Sequence, residues 1–97
     1  MRNPPRPTLG PVALYLSELA EGSKRTMRRS LAHACAFLGG GAPDTFRWHK
    51  VRVGQVAALR ADLAARYAPN TANKILAAVR GALRACWRIG LLSAEDL

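Results

Sequence analysis

The chain has 97 residues, which fit one small domain that buries only about two thirds of the surface its unfolded form exposes. Lysine and arginine total 15 against 6 acidic residues, a formal net charge of +9. Such a charge favours a polyanionic partner, although a genome biased toward arginine and alanine codons gives the same composition without any ligand. No apolar run approaches the roughly 20 residues of a membrane-spanning helix and no signal peptide is present, so the sequence excludes a spanning segment and predicts a cytoplasmic location.

The first ten residues, 1–10, hold three prolines and two arginines and are predicted to form a flexible arm. From Pro11 the apolar residues recur at helical spacing. Because proline suits the first position of a helix and glycine its end, helix one is predicted from Pro11 to Glu21, with Gly22 as its stop.

Helix two begins with a dense run of positive charge. Ser23 is predicted to cap it, and its apolar residues have the spacing of one buried stripe, Met27, Leu31, Ala34, Cys35 and Leu38, before three glycines at 39–41 end the helix. At about 100° per residue four cations share the neighbouring face: Lys24, Arg25, Arg28 and Arg29. Because the helix dipole is already positive at this end, these cations do not stabilise the helix itself. They either keep the chain soluble or bind an anion of another molecule.

Residues 39–52 are predicted to be a loop that carries cations among aromatic residues. Phe46 and Trp48 either anchor this loop to the core or stack on a nucleic-acid base, and anchoring is the commoner role of large aromatic side chains. Apolar spacing then predicts helix three from Val53 to Tyr67.

Helix four is predicted to be the longest. Pro69 breaks the chain, Asn70 or Thr71 caps the helix, and the helix runs to about Gly90. Its predicted buried face comprises Ile75, Leu76, Val79, Leu83, Cys86 and Trp87, and another face presents Arg80, Arg84 and Arg88, with Asn73 and Lys74 near the entrance. Gly81 costs a helix up to about 1 kcal/mol relative to alanine, which predicts tight packing there.

No stretch has the period-2 alternation of a strand. The predicted fold is therefore all-α, a compact bundle of four main helices with a short fifth from a capped turn at Ser93. Residues 11–92 would form the helical domain and 93–97 the start of a linker.

Residue types that perform catalysis are scarce. His33 and His49 are the only histidines and no second ligand is spaced to help either bind a metal, while Glu18 and Glu21 are better explained as a solvated helix edge than as an acid/base pair. The two cysteines are too few for a disulfide framework and are expected to be reduced core residues. We expect no catalytic residue, no metal, no cofactor and no small-molecule substrate.

What remains is recognition of an anion. The starts of helices two and four each combine hydroxyl or amide side chains with cations, and backbone amides at a helix start attract phosphate. The sequence thus predicts that these two amino ends face the same way and clamp a double-stranded polyanion.

The order of these features resembles the N-terminal core-binding, SAM-like domain of tyrosine recombinases, also called phage integrases. The resemblance extends over residues 9–97 and rests on "YLSELAEGSKRTMRRSLAHACAFLG", a tryptophan-containing loop, and "VGQVAALRADLAARYAPNTANKILAAVRGALRACWRIGLLSAEDL". Its signals are a Ser-x-x-Thr opening of helix two, a Thr-x-x-x-Ile opening of helix four, a Leu-Arg within that helix and a Gly-Leu-Leu exit.

The resemblance implies a bacterial or phage-encoded domain that packs on one side of double-stranded DNA while a separate catalytic domain, absent here, closes on the other. It further implies contacts with other recombinase protomers. The residues expected to contact DNA are Ser23, Lys24, Arg25, Thr26, Arg28, Arg29, Lys50, Thr71, Asn73, Lys74, Arg80 and Arg84.

Two other functions fit the same residues. One is a helical protein–protein interaction module whose basic face is merely solvated. The other is an independent helix-turn-helix regulator, which is weakened because no two short helices are joined by a turn of 3 to 4 residues.

Overall fold

The computed structural model describes residues 10–91. Its helices are α1 (Pro11–Ser17), α2 (Glu21–Leu38), α3 (Val53–Arg66) and α4 (Pro69–Arg88), with one turn of 3-10 helix at Trp48–Lys50. Within the described range there is no strand, so the prediction of an all-α bundle of four main helices is confirmed. Residues 1–9 of the predicted arm and the turn predicted from Ser93 lie outside this range.

α4 is the centre of the bundle, since α1, α2, α3 and the 3-10 turn all pack against it. Much of its buried face is alanine, which lets neighbouring helices approach closely. The buried residues of α4 are Ala72, Ile75, Leu76, Ala78, Val79, Ala82, Ala85 and Cys86. None of the described helices is both long enough and apolar enough to cross a bilayer.

The contact between α1 and α4 depends on a glycine. A Cβ atom at Gly81 would overlap the ring of Tyr15, so only glycine permits this approach. The predicted tight packing at Gly81 is therefore confirmed, and burial against α4 raises the pKa of Tyr15 above its ordinary value.

Both long helices begin earlier than predicted, and alanines occupy their N-cap positions. Ala20 and Ala68 have extended backbone and no side-chain cap. A residue before proline is held away from helical geometry, and proline fits the first helical position, so Pro69 starts α4 and does not precede it. The predicted caps at Ser23, Asn70 and Thr71 are wrong, since all three residues lie inside the first turn.

The same shift shortens the first helix. α1 ends at Ser17, whose Oγ donates a hydrogen bond to the carbonyl oxygen of Leu14 at 2.7 Å. Gly22 does not stop α1 but lies in the first turn of α2, where the Lys24 N–H donates to the Ala20 carbonyl oxygen at 3.2 Å. Glu21 thus belongs to α2.

The two tryptophans have opposite environments. Trp48 is fully buried and its indole Nε1–H donates to the Pro43 carbonyl oxygen at 3.0 Å, so the predicted anchoring of the loop is confirmed. Trp87 is 44 % exposed, which overturns its assignment to the buried face of α4. It follows Arg80 by seven residues, two helical turns, and so shares the exposed side of that arginine.

Candidate nucleic-acid interface

Every carboxylate in the described range is already paired with a cation. Lys24 pairs with Glu21 at 2.7 Å and Arg66 with Asp62 at 3.2 Å. Arg28 pairs with Asp44 at 3.0 Å, and Arg88 with Glu18 at 2.6 Å. No described carboxylate lies within ion-pair distance of the other described cations: Arg25, Arg29, Arg47, Lys50, Arg52, Arg60, Lys74, Arg80 and Arg84. The surface is therefore strongly positive.

The cations of α2 are only partly free. Lys24 is half-buried and held by Glu21 in the first turn, while Ser23 is half-buried beside it. Arg25, Thr26 and Arg29 are exposed, so of the residues predicted on α2 these three remain available to a ligand.

Arg28 has a structural role that its sequence neighbourhood does not reveal. Its Nη1 donates to both carboxylate oxygens of Asp44, at 3.1 and 3.0 Å, across a separation of sixteen residues. This pair ties the loop that contains Trp48 to α2. Lys50 lies at the end of the same loop, in the 3-10 turn, and is exposed.

α4 carries the freer set of polar side chains. Asn73, Arg80 and Arg84 are exposed and follow the i, i+7, i+11 spacing of one helix face, which we call the α4 stripe. Ala77 lies between them and adds little bulk. Thr71 and Lys74, both exposed, flank the amino end of this stripe.

The contacts place the amino ends of α2 and α4 apart. Arg88, at the end of α4, pairs with Glu18, three residues before α2 begins. Tyr67, just before α4, packs edge-on against His33 with ring centroids 5.9 Å apart, and His33 lies about 18 Å along α2 from its first residue. Each amino end thus lies near the later part of the other helix, and the predicted clamp of two adjacent helix starts is wrong.

The exposed sides of the two helices also differ in direction. α2 and α4 pack against each other, and the buried residues of α2 include Leu31, Ala34 and Cys35. Arg25 and Arg29 are exposed on the side of α2 opposite to its buried residues, and the α4 stripe is exposed on the side of α4 opposite to its own buried residues. One flat surface therefore does not contain both sets of predicted residues.

Two arginines that were not among the predicted site residues lie beside the α4 stripe. Arg52 and Arg60 line a cavity of about 580 Å³ between α3 and α4, together with Arg80 of the stripe. Arg60 and Arg80 also line the adjoining cavity of about 280 Å³ nearer the start of α4. Val56, Arg60 and Ala64 lie four residues apart along one edge of α3, a spacing that makes them neighbours but does not by itself mark Arg60 as a site residue.

No group of three or more His, Cys, Asp or Glu side chains within residues 10–91 could hold a metal ion. The thiols of Cys35 and Cys86 are free and buried, and desolvation raises the pKa of each to about 11, so neither is a thiolate near neutral pH. The arrangement suits the binding of a polyanion.

Comparison of the chain with models of protein families, with curated proteins and with solved structures finds no match.

Proposed function

We propose that this chain binds double-stranded DNA through α4, as the core-binding domain of a tyrosine site-specific recombinase. The observation that carries the DNA-binding part is the pattern of ion pairs. All described carboxylates pair with other cations, and none of them pairs with Lys74, Arg80 or Arg84 on α4. The recombinase assignment rests on the sequence resemblance.

The geometry of α4 supports this role. The helix has 20 residues, or about 30 Å, and an α-helix fits the major groove of B-form DNA. Asparagine pairs well with adenine and arginine with guanine, and these are the residue types of the α4 stripe. Asn73, Arg80 and Arg84 would then read base edges, and the short side chain of Ala77 would let the helix approach them.

Phosphate contacts would come from the flanks of the stripe. Lys74 and Thr71 lie at the amino end of α4, where backbone amides also favour an anion. Arg60 adds charge from α3 on the same side. Arg25 and Arg29 on α2 would act mainly through the long-range positive field, since they point away from the α4 stripe.

Strand cutting and joining would belong to a separate catalytic domain, and pairing with other recombinase protomers to the full protein. The role of this chain would be to hold a half-site in a sequence-specific manner. It would act in DNA integration or recombination.

Titration of the chain with fluorescent duplex DNA across a salt series from 50 to 200 mM tests the proposal. Each neutralised phosphate contributes about −0.9 to the slope of log K against log salt, so four or five contacts predict a slope of about −4. No binding at 50 mM salt would overturn the proposal. Binding that is equal for every duplex sequence would overturn its sequence-specific part and leave a general DNA-binding domain.

A second candidate function has one observation in its favour. Trp87, Ile89 and Leu91, at the end of α4, are 44 %, 37 % and 46 % exposed. A helical protein–protein interaction module would use such an apolar end as its contact. Sedimentation equilibrium separates the two functions, because a stable oligomer that ignores DNA favours this one.

A further inference from the structure

The two cavities between α3 and α4 form one groove, which we call the α3–α4 groove. The cavity of about 580 Å³ is lined from Val51 onward and the cavity of about 280 Å³ as far as Pro69, and Arg60, Ala64 and Arg80 line both. The groove therefore follows the whole of α3, whose 14 residues are about 21 Å long. Its surface is open to an occupant of that length.

Branched apolar side chains line the larger part of this groove. They are Val51, Val53, Val56 and Leu83. Val53 is 85 % exposed, so the described part of the chain leaves it uncovered. Apolar surface of this kind is stabilised by apolar contact, which the phosphates and sugars of a nucleic acid do not supply. The groove is thus matched by an occupant that carries large apolar side chains.

The charge of the groove is of one sign. Arg52, Arg60 and Arg80 line it, no carboxylate is among the described residues that line it, and no described carboxylate pairs with these three arginines. Arg60 belongs to α3 and Arg80 to α4, so each wall of the groove contributes a cation. Because complementary charge favours the correct partner, the occupant should carry carboxylates beside its apolar residues.

The walls of the groove favour a helical occupant. Both walls are helices, whose backbone groups are bonded internally, so an extended peptide would find no free backbone partner, whereas a helix satisfies its own. Ala57 and Ala61 line the groove with little bulk, which lets another helix lie close. Arg52 precedes Arg60 by eight residues, about 12 Å, and two turns of an occupying helix place two carboxylates at that separation.

A second copy of this chain is a poor match for the groove. The chain has a formal net charge of +9, and its described carboxylates are all paired with its own cations. Two copies would therefore bring positive surfaces together. The charge favours a different, acidic protein.

We propose that the α3–α4 groove binds an acidic amphipathic helix of a partner protein, whose large apolar side chains cover the valines and whose carboxylates pair with Arg52, Arg60 and Arg80. Arg80 also belongs to the α4 stripe, so this partner competes with a polyanion for that side chain. The proposal goes beyond DNA binding and does not depend on it, because the apolar lining lies outside the α4 stripe.

Two fluorescein-labelled synthetic helices of roughly 18 residues test the proposal in the absence of DNA. In the first peptide, leucines form one face and glutamates flank this face at intervals of two turns. The second has the same composition and net charge, but its glutamates lie on the face opposite the leucines. Fluorescence anisotropy at about 0.15 M salt, where long-range attraction is screened, is expected to show binding of the first peptide and much weaker binding of the second.

Two variants of the chain locate the binding site. Ala57→Glu places a carboxylate in the groove and should weaken binding of the first peptide about tenfold, since like charges opposed across an interface are unfavourable. Ala58→Glu is the matched control, because this exposed alanine is next in the helix and lines neither cavity. It should leave the affinity nearly unchanged. Methyl NMR signals of Val53, Val56 and Leu83 should shift on addition of the first peptide, and those of the buried Val12 of α1 should not.

Equal affinity for the two peptides, no binding of either, or equal losses from the two variants would overturn the proposal. Duplex DNA that shifts the same methyl signals and is weakened equally by Ala57→Glu would assign the groove to DNA and overturn it as well. So would a dimer that Ala57→Glu alone dissociates, because the occupant would then be a second copy. A chain that binds the first peptide but no DNA would support this proposal and overturn only the proposed function.

Discussion

The α2 segment from Lys24 to Arg29 is denser in charge than any part of α4, yet α4 offers more of its charge to a ligand. On α2, Lys24 and Arg28 are tied to Glu21 and Asp44. On α4, Lys74, Arg80 and Arg84 have no described partner, and Arg60 of α3 and Arg52 just before it line a cavity together with Arg80. A cluster of cations in a sequence therefore does not reveal which of them the fold has already neutralised.

The largest expected effect concerns the loop that contains Trp48 and is joined to α2 by the ion pair between Arg28 and Asp44. Trp48→Ala removes a fully buried indole and its hydrogen bond to Pro43, and should lower the free energy of unfolding by about 3–5 kcal/mol. Trp87→Ala is the matched control, because this tryptophan is 44 % exposed and lies on the free side of α4. Chemical denaturation measures the free energy of unfolding of both variants. Similar losses of stability would contradict the difference between the buried and the exposed tryptophan.

The next effect separates the two basic helices in DNA binding. Arg80→Gln with Arg84→Gln should weaken binding by about 2 kcal/mol or more, roughly 30-fold, and flatten the salt dependence, since base and phosphate contacts are lost together. Arg25→Gln with Arg29→Gln removes the same charge from the opposite side and should cost only a few-fold at 0.15 M salt, where the Debye length is about 8 Å. Fluorescence anisotropy measures the affinities. A larger loss from the α2 pair would move the proposed DNA surface to α2.

The smallest effect tests the pairing on α2 itself. Asp44→Asn breaks an ion pair whose side chains are about half exposed, so it should lower stability by less than about 1 kcal/mol. Glu21→Gln, which breaks a pair within one helix, should cost still less. Denaturation midpoints decide the order. If freeing Arg28 by Asp44→Asn raised DNA affinity tenfold, α2 would be part of the interface after all.

Local pattern was enough for much of the fold. The spacing of Leu31, Ala34 and Cys35 predicted the buried side of α2, and a glycine inside a helix correctly indicated tight packing at Gly81, where the structure places the ring of Tyr15. Helix three was predicted to within one residue at its end. The signals for these features are the residue types within one or two helical turns, which a sequence displays directly.

Features that depend on distant residues were missed or wrong. The pair between Arg28 and Asp44 spans sixteen residues, so nothing near Arg28 announces it. Trp87 has the spacing of a core residue but lies at the edge of the apolar arc of α4, where its neighbours do not cover it. The separation of the two amino ends results from how helices pack, which periodicity alone does not specify. Of the residues expected to contact DNA, Asn73 and Arg80 on α4 line a cavity together with Arg60, and those on α2 lie elsewhere.

The alanines at the starts of both long helices have a practical consequence. Ala20 and Ala68 stand where serine, threonine, aspartate or asparagine would satisfy a backbone amide, at a gain of about 0.5–2 kcal/mol each. Neither position carries charge or contributes to the core. They are the natural places to raise the thermostability of this molecule by engineering while every cation keeps its present surroundings.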